Sequence, residues 1–184
     1  MKPASDSHQD FETLALPLLD ALYNFARWLS HDPSEAEDLV QETFAKALRG
    51  FSSFAPDTDF RAWMFRILRN TFLTSRTGLQ AKLTVPLDPD EEAAAGVTWQ
   101  TPETLAVASA TREALQQALG ELPLAYREVV LLCDVEEMKY AEIAEVLSVP
   151  IGTVMSRLAR GRKLLRQMLA GERPAGIRKV DGRR

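Results

Sequence analysis

Apolar residues recur every three or four positions along most of this chain, and no long segment alternates apolar with polar residues. This spacing puts apolar side chains on one face of an α-helix, whereas strands alternate with a period of two. The pattern therefore predicts an all-α protein whose helices each bury one face. In the first part of the chain the predicted buried positions are Leu14, Leu18, Leu22, Phe25, Leu29, Val40, Phe44, Ala47, Leu48 and Phe51.

Local signals predict where two of these helices bend or begin. Pro17 falls within the first apolar stripe, where a proline kinks a helix or occupies its first turns. Asp32 or Ser34 can cap the next helix, because Pro33 suits the first turn and Glu35 or Glu37 can complete a capping box.

The formal net charge of −4 is an average over three unlike parts. Residues 1–85 carry nine basic and eleven acidic side chains, residues 86–110 carry five acids and no base, and later residues carry thirteen bases and ten acids. An acidic, proline-bearing stretch between parts of opposite charge predicts a linker. We predict two small helical domains joined by a flexible acidic linker. The boundaries are a flexible N-terminus at 1–10, a first domain at 11–80, the linker at 81–108, a second domain at 109–170 and a basic flexible tail at 171–184.

Composition argues against several classes of protein. No apolar run approaches the roughly 18 residues of a membrane-spanning helix, and the N-terminus lacks a secretory signal pattern. Cys133 is the single cysteine and there are two histidines, so neither an internal disulfide nor a His-rich metal site is expected. We expect a reducing cytoplasmic location, no cofactor and no membrane contact. The chain shows no nucleophile–base pair, metal-ligand set or phosphate-binding glycine loop, which argues against an enzyme.

An acidic and polar face follows the first predicted cap. In EDLVQETFAKALRGF, the side chains of Asp38, Gln41, Glu42 and Ala45 share one helix face at spacings of three and four. Most polar helix faces are only solvated, so a solvated acidic face is the simpler interpretation. A contact face for a protein partner is the alternative.

A second face combines cations, an amide and aromatic rings. In FRAWMFRILRNTFLTSR, the aromatic and aliphatic residues can pack inward while Arg66, Arg69, Asn70 and Arg76 share the opposite face. Cations suit phosphates, an amide suits a base edge, and rings stack on unpaired bases. This face is typical of nucleic-acid contact, and an ordinary arginine-rich exposed helix remains open as the alternative.

The segment YAEIAEVLSVPIGTVMSRLARGRKLLR predicts a helix-turn-helix. Its apolar positions bury both helices against each other and Val149 closes the turn, so the second helix can enter a major groove. The alternative is a basic amphipathic helix of a plain bundle. The residues left outward on the second helix are Thr153, Met155, Ser156, Arg157, Arg160 and Lys163, with Arg162 and Arg166 extending the basic surface.

Taken in order, EAEDLVQETFAKAL, FRAWMFRILRNTFL and the helix-turn-helix segment resemble bacterial sigma factors of the extracytoplasmic-function (ECF) group. The resemblance covers nearly the whole chain, from about Phe11 to Leu169. It implies a helical region 2 domain, a flexible linker and a helical region 4 domain. It also implies binding of core RNA polymerase, through the β′ clamp helices by region 2 and the β flap by region 4. Promoter DNA is the other implied partner, recognised at its −10 and −35 elements and then opened.

The resemblance also assigns roles to individual residues. The polar face of region 2 is implied to bind the clamp helices, through Asp38, Gln41 and Glu42. A loop and the helix after it are implied to capture a flipped base of the −10 element, through Phe54, Asp57, Phe60, Trp63, Arg66 and Asn70. Housekeeping sigma factors use two adjacent tryptophans as a wedge that unstacks this base. Trp63 matches one of them and Met64 stands at the second position, so we expect this chain to melt promoter DNA less readily by itself. The −35 element is implied to be read by Ser156 and Arg160, with Thr153 beside them and with Arg157 and Lys163 as phosphate anchors.

Three segments, ALPLLDALYNFARWL, ILRNTFLTSRTG and PIGTVMSRLARGR, resemble the subgroup of the actinobacterial disulfide-stress sigma factor. That resemblance implies an anti-sigma factor as a further partner, one that binds zinc and senses oxidation through its own cysteines. Cys133 lies in an apolar segment and is expected to be a buried structural thiol. The competing hypothesis for the chain is a helix-turn-helix transcriptional regulator that shares only a region-4-like domain.

Overall fold

The computed structural model describes residues 4–55, 58–79 and 112–171. Within these ranges the chain is helical and has no strand, so the all-α prediction is confirmed. The predicted linker at 81–108 lies outside the described residues, as does the tail beyond Gly171. The helices are α1 (Ala4–Ala15), α2 (Leu19–Ser30), α3 (Pro33–Gly50), α4 (Phe60–Leu79), α5 (Arg112–Glu121), α6 (Leu124–Val130), α7 (Tyr140–Leu147) and α8 (Ile151–Leu169).

The N-terminal helix differs from the expectation of a flexible segment at 1–10, because α1 already begins at Ala4. Phe11 and Ala15 are buried and anchor α1 on the first domain. Phe11 meets the rings of Phe44 and Phe51 edge-on, with centroids 6.3 and 5.4 Å apart. Pro17 sits in a single 3₁₀ turn that separates α1 from α2, so the predicted kink is confirmed.

Helix α3 begins as its sequence predicts. The carboxylate of Asp32 accepts a hydrogen bond from the backbone N–H of Glu35 at 2.9 Å, which caps the helix. The predicted burial of Leu48 is wrong, since this side chain is 37% exposed, and so is that of Leu14 on α1, which is 45% exposed. The buried stripe runs instead through Thr43, whose hydroxyl donates to the carbonyl of Leu39 at 2.7 Å and so needs no outside partner.

The second half of the structure, residues 112–171, contains the predicted helix-turn-helix. Leu122 and Pro123 separate α5 from α6, and a π-helical turn at Leu131–Val135 extends α6. Helices α7 and α8 are joined by a short turn in which Ser148 has a left-handed backbone with φ of 55°. Helix α8 packs closely on α6 at Gly161, where an added Cβ would lie 2.9 Å from Val130 Cγ2. The buried apolar positions of the motif are Ile143, Val146, Leu147, Val154 and Leu158.

The two halves pack against each other, chiefly through α4 and α7. Their buried apolar residues form one continuous cluster from Phe11 to Leu158. Two ion pairs join α4 to the second half: Arg69 to Glu128 at 2.8 Å, and Arg61 to Glu136 at 2.6 Å. Among the described residues, no helix is both long and apolar enough to cross a bilayer.

A third junction between the halves forms around the guanidinium of Arg127. It donates to the backbone carbonyls of Trp28, Gly120 and Leu122, at 3.1, 2.7 and 2.8 Å. It also meets Nε2 of His31. Because a guanidinium only donates, this nitrogen must accept, and the imidazole carries its proton on Nδ1. Burial lowers the pKa of His31, and the charges of Arg127, Arg76 and Arg27 lower it further.

Replacement of Gly161 tests the close packing of α8 on α6. We expect Gly161→Ala to destabilise the chain by about 1 kcal/mol, because overpacking outweighs the gain in helix propensity. Gly152 lies on the same helix with nothing within 4 Å of an added Cβ, so Gly152→Ala is the matched control and should be neutral or stabilising. Urea unfolding of both variants measures the difference, and equal stability of the two would contradict the close contact.

The pH dependence of stability tests the junction at His31. The pKa of His31 in the folded chain lies below its ordinary value near 6.5. The unfolded chain therefore binds the proton more readily, and the contribution of His31 to stability is lost as the pH falls below 6.5. His31→Asn removes the titration and suits the left-handed backbone at this position, where φ is 62°.

We expect the free energy of unfolding to fall less between pH 7.5 and 5.5 in His31→Asn than in the parent chain. The difference should be small, because the ring is partly exposed and water screens its charge. Urea titrations across this range provide the measurement. Identical slopes in the two proteins would show that the ring does not titrate against Arg127.

Candidate nucleic-acid interface

The polar face of α3 is exposed to solvent. Asp38, Gln41, Glu42 and Ala45 all lie on it, as their spacing predicts. Glu42 pairs with Lys46 at 2.8 Å, and Lys46 also donates to Thr71 of α4 at 3.2 Å. The face is therefore carried by a helix that is fixed on one side to the core and on the other side accessible to a large partner.

Aromatic rings gather where the loop after α3 enters α4. Phe54 lies 5.3 Å from Phe60 and 5.1 Å from Trp63, centroid to centroid, and Phe60 lies 5.6 Å from Trp63. All three rings are half-buried, so each keeps part of its surface accessible. The carboxylate of Asp59 accepts from the backbone N–H of Ala62 at 2.9 Å and fixes the start of α4. Asp57, also predicted for this site, lies outside the described residues.

The predicted cation and amide of α4 are exposed beside these rings. Arg66 and Asn70 both reach solvent, whereas Met64 is fully buried. A small cavity of about 50 Å³ lies between Trp63 and Arg66, and Glu145 of α7 forms part of its wall. The structure thus brings together Phe54, Phe60, Trp63 and Arg66, while Met64 belongs to the core. We call the rings of Phe54, Phe60 and Trp63 the aromatic ledge. Such rings beside an arginine can stack an unpaired base and hold its phosphate.

The outward face of α8 carries the residues predicted to read DNA. Arg160 and Lys163 are exposed, while Thr153, Ser156 and Arg157 are half-buried. The hydroxyl of Ser156 donates to the carbonyl of Thr153 at 3.1 Å, within the first turns of the helix. An exposed amphipathic helix with small polar groups first and cations later can place base-reading groups in a groove and cations on phosphates.

Arg162, which the sequence places on the basic surface, is engaged within the second half. Its guanidinium pairs with the carboxylate of Asp134, and one nitrogen lies 3.8 Å from Sγ of Cys133. Burial and the charge of Asp134 raise the pKa of the Cys133 thiol. The side chain of Cys133 is half-buried rather than buried as predicted, and a thiol with a raised pKa is a poor nucleophile, which fits a structural role.

Sequence reasoning missed the carboxylates that face α4 from the second half. Glu128 is 1% exposed, and its carboxylate accepts two hydrogen bonds from Arg69, at 2.8 and 3.3 Å. Burial raises the pKa of Glu128 despite the opposing charges of Arg69, Arg157 and Arg127, and burial likewise raises the pKa of Glu136 against Arg61. The available signal was the position of Glu128 directly before the apolar run VVLL, which favours a buried carboxylate that needs a partner.

The described residues do not bring three His, Cys, Asp or Glu side chains together as a metal site would require. The exposed polar and basic groups of α3, α4 and α8 offer surfaces to large partners. Binding to a protein and to nucleic acid is therefore the function that this geometry favours.

Comparisons with known proteins agree with this geometry. A family model of sigma-70 region 2 matches residues 14–81, and a model of sigma-70 region 4 matches residues 112–165. The chain is 40% identical over 153 residues to the ECF RNA polymerase sigma factor SigE of Mycolicibacterium smegmatis, covering 82% of this chain and 58% of that protein. It is 32% identical to the ECF RNA polymerase sigma factor SigW of Bacillus subtilis, covering 82% of this chain and 83% of that protein.

The fold of a solved structure is also similar over most of both chains. The sigma factor RpoE of Bartonella quintana, determined in complex with the anti-sigma factor NepR, superimposes with a TM-score of 0.70 at 31% identity. The match covers 90% of this chain and 99% of RpoE. The chain therefore belongs to the extracytoplasmic-function group of RNA polymerase sigma factors.

Proposed function

We propose that this chain binds core RNA polymerase and directs it to promoters. The polar face of α3 binds the β′ clamp helices through Asp38, Gln41 and Glu42. The aromatic ledge and α4 capture the −10 element, α8 reads the −35 element, and the second half also contacts the β flap. The observation that carries the proposal is that an exposed acidic face and an exposed arginine–aromatic face lie on two packed helices, α3 and α4.

An anti-sigma factor is the third partner in this proposal. The similar sigma factor of Bartonella quintana was solved with such a partner, which supports the same kind of control here. Both DNA and polymerase are cytoplasmic in bacteria, so we place the chain in the cytoplasm. Promoters of a stress response are the proposed targets.

We further propose that the anti-sigma factor is of the zinc-binding, oxidation-sensing kind. The support is the resemblance of three segments of this chain to the disulfide-stress subgroup. Because Cys133 is the single cysteine, any dithiol switch has to lie in the partner. Oxidation of the partner would then release the sigma factor, while this chain stays chemically unchanged.

A helix-turn-helix regulator remains the alternative function, and the observation that favours it is the exposed basic side of α8. Such a regulator binds DNA without polymerase, and this hypothesis leaves the polar face of α3 without a function. The two functions therefore differ in whether Asp38 and Gln41 matter.

Run-off transcription with purified core polymerase tests the proposed function. We expect promoter-specific transcripts that depend on this chain, and a loss of about tenfold or more in polymerase affinity for Asp38→Ala with Gln41→Ala. An interfacial loss of that size corresponds to about 1.4 kcal/mol. Co-purification of core polymerase with the tagged chain measures the affinity.

Asp20 and Asn24 provide a matched control, because they are an exposed acid–amide pair on α2 at similar spacing. Asp20→Ala with Asn24→Ala should retain polymerase binding. Equal binding by both double variants would contradict the role of α3 and favour the regulator.

Salt titration separates base reading from phosphate contact on α8. Lys163→Ala should weaken binding of the holoenzyme to all promoters and reduce the salt slope by about 1, and Arg157→Ala should do the same. Arg160→Ala should instead cost about 1–3 kcal/mol only where the −35 element is intact.

The probe is a promoter fragment recovered from DNA that co-purifies with the holoenzyme, compared with the same fragment carrying a scrambled −35 element. Filter binding at several salt concentrations gives the salt slope and the loss of binding free energy for each variant. Equal losses for Arg160→Ala on the two fragments would contradict base reading by this residue.

A further inference from the structure

Lys46 of α3 contacts side chains on two different helices. Its ammonium pairs with Glu42 of the same helix at 2.8 Å and donates a hydrogen bond to the hydroxyl of Thr71 on α4 at 3.2 Å. A lysine ammonium has three N–H donors, so it can hold both groups at once. Glu42 is thereby connected, through Lys46, to the neighbouring helix.

The two ends of this bridge differ in burial. Thr71 is 2% exposed, and a buried hydroxyl needs a hydrogen-bond partner, which Lys46 supplies. The side chain of Lys46 is 36% exposed and that of Glu42 is 53% exposed. The ammonium is therefore anchored at the packed side of α3, while the carboxylate that it holds faces solvent.

Stability alone gives little reason for this arrangement. An exposed Glu–Lys pair at a spacing of four residues changes the folding equilibrium only about twofold, and it usually leaves both side chains mobile. The hydrogen bond to Thr71 adds a second contact that restricts the lysine. A restricted lysine in turn restricts the directions in which the carboxylate of Glu42 can point.

A restricted carboxylate matters where it has to meet a partner. Glu42 belongs to the polar face of α3 that is proposed to bind core polymerase. Immobilising a mobile side chain on association lowers the affinity about two- to tenfold. A carboxylate that is held before association avoids part of this loss. Its two oxygens offer enough acceptor sites for Lys46 and for a donor of the partner together.

We propose that Lys46 is a positioning residue for polymerase binding: anchored on Thr71, it holds the carboxylate of Glu42 in the orientation that the polymerase meets. This inference rests on the proposed role of Glu42 in polymerase binding. It adds Lys46 and Thr71 as residues that act through Glu42 without touching the partner.

The charge of Lys46 has an effect of opposite sign. A cation beside an acidic face weakens the attraction of that face for a basic partner. If charge alone mattered, removing Lys46 would tighten polymerase binding, whereas loss of positioning weakens it. A variant that breaks the bridge and keeps every charge separates the two effects.

Two buried threonines provide such a comparison. Thr71→Val removes the anchor of Lys46, keeps nearly the same side-chain shape and changes no charge. Thr43→Val is the matched control, because Thr43 is fully buried on α3 itself and its hydroxyl donates to the carbonyl of Leu39 in its own helix. Fluorescence anisotropy of the amino-terminally labelled full chain, titrated with purified core polymerase, gives the dissociation constant of each variant.

We expect Thr71→Val to bind core polymerase about two to five times more weakly than the parent chain, and Thr43→Val to bind as the parent chain does. Lys46→Met should also weaken binding, because the loss of positioning exceeds the gain from charge. Thr71→Val should have no further effect when Lys46→Met is already present, since both changes break the same bridge.

Equal affinity of Thr71→Val and Thr43→Val would overturn the proposal, and so would tighter binding by Lys46→Met or a further loss in the double variant. If circular dichroism shows that Thr71→Val prevents folding, Lys46→Met is combined with Glu42→Ala instead. A lysine that acts through Glu42 then costs no further affinity, and additive losses would contradict its role.

The parent chain keeps this test distinct from that of the proposed function. Failure of the parent chain to bind core polymerase would refute the proposed function. Binding by the parent chain, with equal binding by Thr71→Val and Lys46→Met, would refute the positioning role alone.

Discussion

The buried carboxylate of Glu128 constrains how the two halves can pack, because it needs Arg69 of the first half as its partner. It faces Arg69 across the domain boundary, and the charges of Arg157 and Arg127 also act on it. Its neighbour Arg127 reaches the opposite side of the boundary and donates to the carbonyl of Trp28. Two consecutive residues of α6 thus hold α4 and the end of α2. Without these contacts, burying Glu128 would leave an unpaired charge away from water, which is strongly unfavourable.

This junction explains how a chain with a net charge of −4 can serve as a DNA-binding protein. The acids are not spread evenly: some are exposed on α3, on the face proposed to bind polymerase, and others pair with Arg61 and Arg69 of α4 from within the same molecule. Two of the cations of α4 are therefore already paired with carboxylates. The negative net charge coexists with the exposed cations of Arg66, Arg160 and Lys163, which the proposed function assigns to DNA.

Much of the fold could be predicted from local sequence. Helical periodicity gave the helices, Pro17 gave the break between α1 and α2, and Asp32 gave the cap of α3, because each acts within a few residues. The exposed faces of α3, α4 and α8 followed from the same periodicity. The pairing of Arg69 with Glu128 could not be predicted, since 59 residues separate the partners and no local rule selects one arginine of α4 over another. The exposure of Leu48 was also missed: the buried stripe of α3 includes Thr43, whose hydroxyl donates to the carbonyl of Leu39, whereas Leu48 is 37% exposed.

The burial of Met64 bears on how strand opening could be driven. Extruding a base costs a few kcal/mol, and stacking on one aromatic ring returns about 1–3 kcal/mol. Trp63 is accessible for such stacking, whereas Met64 is fully buried and supports the core beneath it. One ring therefore roughly balances the cost of one extruded base and leaves little surplus to open the duplex. The remaining free energy has to come from polymerase contacts and from a promoter whose −10 element is easily unstacked.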